Sequence, residues 1–302
     1  MKTSSAECVL ALDAGGTTIK GALVARDDTV SDFFEIPIME NGSAEAVLGA
    51  FAAAGESGAA SAAARGLSLL GVGVCIPGPF DYKNGVSLMT HKYQAVRGLR
   101  LGPHITKAMP GLKVGFMHDS SAFLMGEMAA RPYSGRDICA VLIGTGLGFA
   151  CTKGGLLFEN EIGGPGISIF RRPFQGETAE EFVSKRGILR AYSRLGGAAE
   201  SVKEMADLAR LGDGAARKAF EETGDALGNI LAPILLENHF SCMILGGQIA
   251  KAGALLASPV QRFFEKNQIP CQVEAARHID ESPLVGAAKL ILGADGKKEL
   301  FA

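Results

Sequence analysis

The sequence predicts an α/β protein of two domains. Its 302 residues exceed the roughly 100–200 of an average domain. Short apolar runs flanked by glycine alternate with alanine- and leucine-rich helical windows, the pattern of strands interleaved with helices. One strand–turn–strand plan also occurs twice, in VLALDAGGTTIKGALV at 9–24 and AVLIGTGLGFACTKGGLLF at 140–158. That repeat points to a duplicated domain.

Taken along the chain, 7–13 and 19–25 read as strands by their length and apolar content, joined by a Gly/Thr turn. A helix is expected over 43–64, with Ser43 as its N-cap and a break near Gly55. Strands follow at 70–76 and 112–117, then a helix over 119–130. The second half opens with strands at 138–143 and 147–152 and continues with helices over 179–195, 202–211 and 215–239. A strand at 242–246 and a helix over 283–292 complete the set. The boundary is expected near 117: a smaller domain of 1–117 with a returning helix at 283–302, and a larger one of 118–282.

Composition excludes several classes of function. Hydrophobic residues make up 47% and charged residues 21%, with 30 basic against 32 acidic side chains. No Lys/Arg run offers the basic footprint that nucleic acid requires. The apolar run VLAL is cut short by Asp13, so no leader peptide is expected. No uncharged stretch reaches the ~20 residues of a membrane span. The six cysteines stand singly, without zinc spacing, and four lie inside apolar runs. They are expected as reduced thiols packed in strands, which fits the cytoplasm.

The two turns carry the chemistry. Gly15, Gly16, Thr17 and Thr18 in the first, and Gly144, Thr145 and Gly146 in the second, offer backbone N–H groups and hydroxyls without bulk. Such turns can wrap a phosphate, although a plain hairpin looks the same. Other phosphate and nucleophile motifs are missing. The chain has no G-x-x-x-x-G-K-[ST] and no G-x-S-x-G, and Gly144-x-Gly146-x-Gly148 is followed by strand rather than helix.

In this order the motifs resemble the ROK family of sugar kinases, within the actin/hexokinase-like ATPase superfamily, over nearly the whole chain. LALDAGGTTIKGALV is similar to the family's first phosphate motif and GVGVCIPGPFDYKNGV to its Pro-Gly segment. HDSSAFLMGE resembles the catalytic segment, VLIGTGLGFACTKGG the second phosphate motif, and MILGGQIAKAG the adenosine-site glycine pair. The resemblance implies two duplicated actin-like (ribonuclease H-like) domains, each a mixed five-stranded sheet flanked by helices, with the active site in a cleft between them. It implies an ATP-dependent kinase acting on a hexose, at O6 of glucose or a related hexose or amino sugar, with Mg²⁺. ATP contacts fall on Asp13, Gly15, Gly16, Thr17, Thr18, Lys20, Gly144, Thr145, Gly146, Gly246, Gly247 and Gln248. Sugar contacts fall on Gly78, His118, Asp119, Glu161 and Glu180. A homodimer is left open. The alternative is an idle sugar- or nucleotide-binding module, or an activator ATPase, of the same superfamily.

Zinc-bearing members carry Glu-x-Gly-His followed by a cysteine cluster. Here the first reads Glu161-Ile162-Gly163-Gly164 and the second has no cysteine. No zinc site is expected, and Gly164 is expected to leave space beside C1 and C2 of the sugar. Glu180 matches the glutamate that ends the lost cluster, with Glu181 as the adjacent choice.

Each residue also has a plainer reading. Asp119 opens a helix, where an acid can serve the macrodipole alone; within these motifs it is the catalytic base. Asp13 ends an apolar strand, either closing an Asx turn or orienting Mg²⁺ through waters. His118 is either a packed imidazole or a sugar partner. Gly78 either forms a tight Pro-Gly turn or bares backbone to the sugar. Glu127, on the same helix face as Asp119, is either solvated or a support for the site. Lys92 and Tyr93 are candidates for the cleft rim that the sequence leaves undecided.

Overall fold

The computed structural model describes residues 6–131, 133 and 137–293. Two compact units divide the chain. The first comprises the described residues of Met1–Pro132, Glu159–Pro165 and Asp280–Ala302, and the second those of Tyr133–Phe158 and Gly166–Ile279.

The first unit runs β1 (Glu7–Ala14), β2 (Thr18–Ala25), β3 (Val30–Pro37), α1 (Ala44–Ala64), β4 (Ser68–Ile76), β5 (Phe80–Asp81), β6 (Val86–Ser87), α2 (Gly102–Ile105), β7 (Lys113–His118) and α3 (Asp119–Ala129). Its main sheet has the order β3-β2-β1-β4-β7. The β1–β2 and β2–β3 pairs are antiparallel, and β4 lies parallel to both β1 and β7. Strand β1 is buried on both faces, as its nearly unbroken apolar run requires. Leu10 and Leu12 join one core with Val47 and Phe51 of α1, while Val9 and Ala11 join another with Leu284 and Ala288.

Ser43 caps α1 as expected, its Oγ accepting from the Ala46 N–H at 3.2 Å. The break near Gly55 does not occur, and α1 continues for 21 residues. A Cβ at Gly55 would run into the Ile105 carbonyl. This glycine therefore marks a close approach of α2 and not a helix end.

The second unit runs β8 (Ile138–Ile143), β9 (Leu147–Lys153), β10 (Leu156–Leu157), β11 (Pro173–Phe174), β12 (Glu177–Thr178), α4 (Ala179–Phe182), α5 (Lys185–Arg194), α6 (Val202–Arg210), α7 (Gly214–Asn238), β13 (Cys242–Gly246), α8 (Ala254–Lys266) and β14 (Gln272–Ala275). Its sheet has the order β10-β9-β8-β13-β14, again with an antiparallel hairpin beside parallel strands. The helix expected over 179–195 is two helices. Ser184 has an extended backbone and caps α5, its Oγ accepting from the Gly187 N–H at 3.3 Å. Helix α8 is an addition to the expected set, with Pro259 inside it. All six cysteines are buried free thiols. Among the described residues no helix is long and apolar enough to cross a membrane.

Helix α9 (Ser282–Leu292) belongs to the first unit, where it packs against α3. Each helix meets the other at a glycine. A Cβ on Gly126 would strike the Ser282 carbonyl, and one on Gly286 would strike the Ala122 carbonyl. Ser282 Oγ also donates to the buried carboxylate of Glu127 at 2.7 Å, and Arg131 stands 3.6 Å from that carboxylate. This packing moves the boundary. Asp119 and α3 lie in the first unit, whereas the sequence placed them in the second. Of the returning helix expected over 283–302, residues 294–302 lie outside the described residues.

Candidate active site

In the first unit the carboxyl ends of the parallel strands β1, β4 and β7 gather most of the expected residues. Asp13 is level with Cys75 on β4, and Ile76 with His118 on β7. Cys75 Sγ donates to Asp13 Oδ1 at 3.4 Å. Across the antiparallel pair, Asp13 stands opposite Lys20. Burial, and then the neighbouring Asp119 charge, raise the Asp13 carboxyl to about 6 against the opposing pull of the Cys75 thiol and Lys20. A divalent cation would relieve two carboxylates placed in this way. Mg²⁺ needs only one or two protein carboxylates when phosphates and water complete its shell, so these residues fit the ion. Among the described residues no three His, Cys, Asp or Glu side chains converge on a metal position.

Asp119 is the first residue of α3. Its Oδ1 accepts from the Ser120 N–H at 2.7 Å and lies 2.7 Å from His118 Nδ1. The Ser120 N–H is farther from Nδ1, at 3.2 Å, so the imidazole is best placed to point an Nδ1 proton at the carboxylate. Burial would raise the Asp119 carboxyl, but His118, the Ser120 N–H and Lys92 together hold it below its ordinary value. Asp119 is therefore ionised at neutral pH, with its side chain still 41% exposed. It is a carboxylate open to an incoming hydroxyl.

His118 is held as well as holding. Its ring meets Tyr82 edge-on at 5.9 Å, and Tyr82 donates its hydroxyl to the Ile76 carbonyl at 3.1 Å. Gly78 stands beside the same ring, where a Cβ would come 3.5 Å from His118 Cδ2. The Tyr82 N–H donates to the Ile162 carbonyl at 2.9 Å and so brings the 159–165 segment to this group. Within that segment Asn160 Oδ1 accepts from the N–H groups of Ile162 and Gly164, at 3.1 and 3.0 Å. A Cβ at Gly164 would sit 3.0 Å from Asn160 Nδ2, so Asn160 stands beside this glycine. Glu161 is exposed.

The first turn closes with the Gly15 N–H donating to the Thr18 carbonyl at 3.0 Å. Thr17 is exposed and accepts the Ile38 N–H on its carbonyl at 3.0 Å. In the second unit, the Gly144 N–H donates to the Gly146 carbonyl, also at 3.0 Å, and Thr145 is exposed. Gly247 lies against this turn with φ +81, its Cα facing the Ile143 backbone so closely that no side chain fits. Gly246 pairs with Leu142, so the 246–247 glycines lie beside the strand that leads into the second turn.

Glu180 is also at the second turn. Its Oε2 accepts from the Leu147 N–H at 2.9 Å and would lie 2.7 Å from a Cβ on Gly146. Glu181 instead pairs with Arg186 at the surface, its Oε2 accepting from Nε at 3.0 Å. Of the two glutamates, Glu180 is the one that faces the turn. Reading the sequence missed Tyr82, Cys75 and Glu40 as members of these groups. Tyr82 and Cys75 flank the Pro-Gly segment and were open to recognition, but Glu40 follows a strand with no motif around it.

Comparison with known proteins places this geometry in a family. The model of the ROK family matches residues 9–294. The chain belongs to the ROK family. This ROK protein is 24% identical over 313 residues to a glucokinase of Thermotoga maritima, covering 94% of this chain and 96% of that protein. It is likewise 24% identical over 295 residues to an N-acetylmannosamine kinase of Salmonella heidelberg, covering 94% and 98%. Among solved structures it resembles a ROK family glucokinase from Streptomyces griseus in complex with glucose and AMPPNP, with TM-score 0.78 and 23% identity. That match covers 94% of this chain and 98% of the other. The ROK protein therefore has the duplicated actin-like fold, with a five-stranded mixed sheet in each unit.

Proposed function

We propose that this ROK protein is an ATP-dependent sugar kinase, moving the γ-phosphoryl of ATP to a hydroxyl of a hexose. O6 of glucose, or of a related hexose or amino sugar, is the favoured acceptor. The observation that carries the reading is Asp119, an ionised and accessible carboxylate at the strand ends beside the first glycine turn. Phosphoryl transfer needs positioning, charge neutralisation and a group to receive the acceptor's proton. Relatives that are glucokinases and N-acetylmannosamine kinases support the same class.

In this reading His118, Gly78 and Glu161 orient the sugar, and Asp119 takes the hydroxyl proton as the acceptor oxygen bonds to the γ-phosphorus. The bond from that phosphorus to the bridging oxygen breaks, and its electron pair leaves on ADP. The N–H groups of 16–18 and of 145–146 hold phosphate oxygens, and Gly246 to Gln248 line the adenosine. Asp13, with Asp119 beside it, would hold Mg²⁺, which supplies charge neutralisation on the phosphates. A coupled ADP-release assay over glucose, mannose, glucosamine, N-acetylmannosamine and other hexoses tests the proposal. Turnover of at least one sugar that disappears in Asp119→Asn supports it. ATP binding without turnover of any sugar favours the idle module.

A further inference from the structure

Lys92 and Glu40 form an ion pair directly over the first glycine turn, and neither belongs to a recognised motif. Lys92 Nζ is 3.5 Å from Glu40 Oε2, with the two side chains 33% and 30% exposed. A Cβ on Gly16 would collide with Glu40 Oε2 and lie 3.5 Å from Lys92 Nζ. The pair therefore sits against the bare backbone that the kinase reading gives to phosphate.

The surrounding backbone holds it there. The Glu40 N–H donates to the Gly16 carbonyl at 3.3 Å, and the Tyr93 N–H donates to the Glu40 carbonyl at 2.8 Å. Tyr93 is buried, adopts a left-handed backbone with φ +50, and donates its hydroxyl to the Gly15 carbonyl. Left-handed backbone at a bulky residue is costly and persists where its surroundings fix it. The 92–93 segment is thus bound to 39–40, and both to the turn.

Stability does not explain the pair. A partly exposed ion pair contributes little. At 3.5 Å this one is too long for a charge-assisted hydrogen bond, and Glu40 Oε2 is buried with no hydrogen-bond partner among the described residues. A phosphate entering at Gly16 would meet that carboxylate, and two anions cannot share the position. The Lys92 ammonium is close enough to serve either one.

We propose that Lys92 contacts the terminal phosphoryl group of the bound nucleotide and that Glu40 is its positioning residue while the turn is empty. Phosphate entry exchanges one anionic partner of Lys92 for another and turns Glu40 aside. During transfer Lys92 stabilises charge on the phosphoryl oxygens while Asp119 accepts the proton, and electrons and atoms balance as in the kinase reaction above. The inference rests on that kinase reading.

The test compares ATP with ADP, because only ATP carries the terminal phosphoryl. Calorimetric titration of each nucleotide with Mg²⁺ into the intact protein needs no knowledge of the sugar. Lys92→Met is expected to weaken ATP about tenfold or more while ADP changes less than about twofold, and Lys92→Arg to stay within about threefold of the parent for both. In an active preparation Lys92→Met should also lower kcat by on the order of 10²–10³. Lys92→Gln gives the same comparison should the Met variant melt early. Equal weakening of both nucleotides, or of neither, overturns the assignment while the kinase reading stands. A parent protein that binds no ATP removes the kinase reading and this inference together.

Discussion

The turn at 15–18 and the turn at 144–146 share a plan and differ in the groups that surround them. Each joins the first two strands of a five-stranded sheet and is closed by a glycine N–H on a backbone carbonyl. The last strand pairs before the turns are Ala14 with Ile19 and Ile143 with Leu147, so the first turn is one residue longer. One step back along the strands the two part further. Asp13 faces Lys20 in the first, whereas Leu142 faces Gly148 in the second. The first turn therefore stands among Asp13, Asp119, Glu40, Lys20 and Lys92. At the second, Glu180 fills an N–H that would otherwise be open to phosphate. Duplication preserved the cradle, and the charges beside it set what each copy can do. In the proposed reading the proton acceptor lies with the first copy, and both turns contact the nucleotide.

The sharpest way to break this comparison is Asp119→Asn. The folded structure should survive, and kcat should fall by on the order of 10²–10⁴. A variant that turns over sugar at nearly the parental rate would take the base away from the first copy. Next comes the pH dependence of Asp13. A carboxyl raised to about 6 in the folded protein binds more protons there than in the unfolded chain. Its contribution favours folding below that pH and is lost as pH rises through 6. Asp119, held low, contributes in the opposite sense, with stability lost as pH falls through its folded value. Mg²⁺ affinity in the nucleotide complex should drop about tenfold per pH unit below 6. Asp13→Asn should flatten that dependence, as read by titrating the rate with Mg²⁺ at several pH values.

Glu180→Gln probes the second copy. Loss of a charged acceptor at the Leu147 N–H should raise KM for ATP about three- to tenfold and leave the sugar KM within about twofold. The reverse split would support the sugar contact at Glu180 that the resemblance implied. The smallest effect concerns the 159–165 segment. With Asn160 beside Gly164 in place of an imidazole, mannose or glucosamine should reach within about tenfold of glucose in kcat/KM. A preference for glucose above about a hundredfold would show another residue gripping that edge of the ring.

Much of the fold was legible in the sequence because glycine turns are local. Gly15 to Thr18, Gly144 to Gly146 and the Gly246–Gly247 pair are short runs whose chemistry depends on neighbours in the chain. Helix ends with a side-chain cap, such as Ser43, were legible for the same reason. What the sequence hid depends on distant partners. Gly55 resembles a helix breaker until the Ile105 carbonyl is seen against it, and Pro259 obscures α8. Helix α3 falls in the first unit through its partner α9, which lies more than a hundred residues away and left no local signal. Glu40 carried no local signal, since only folding brings it over Gly16.

The mutual fit of α3 and α9 has a consequence for synthesis. Gly126 and Gly286 let two backbones interlock, and Ser282 secures Glu127 at the centre of the contact. A ribosome makes α3 long before α9, so the helix bearing Asp119 emerges with its buried carboxylate at Glu127 uncovered by its partner. Until residues 282–292 leave the exit tunnel, Gly126 has no partner backbone to approach. A chain released before that point would carry α3 without the Ser282 donor to Glu127.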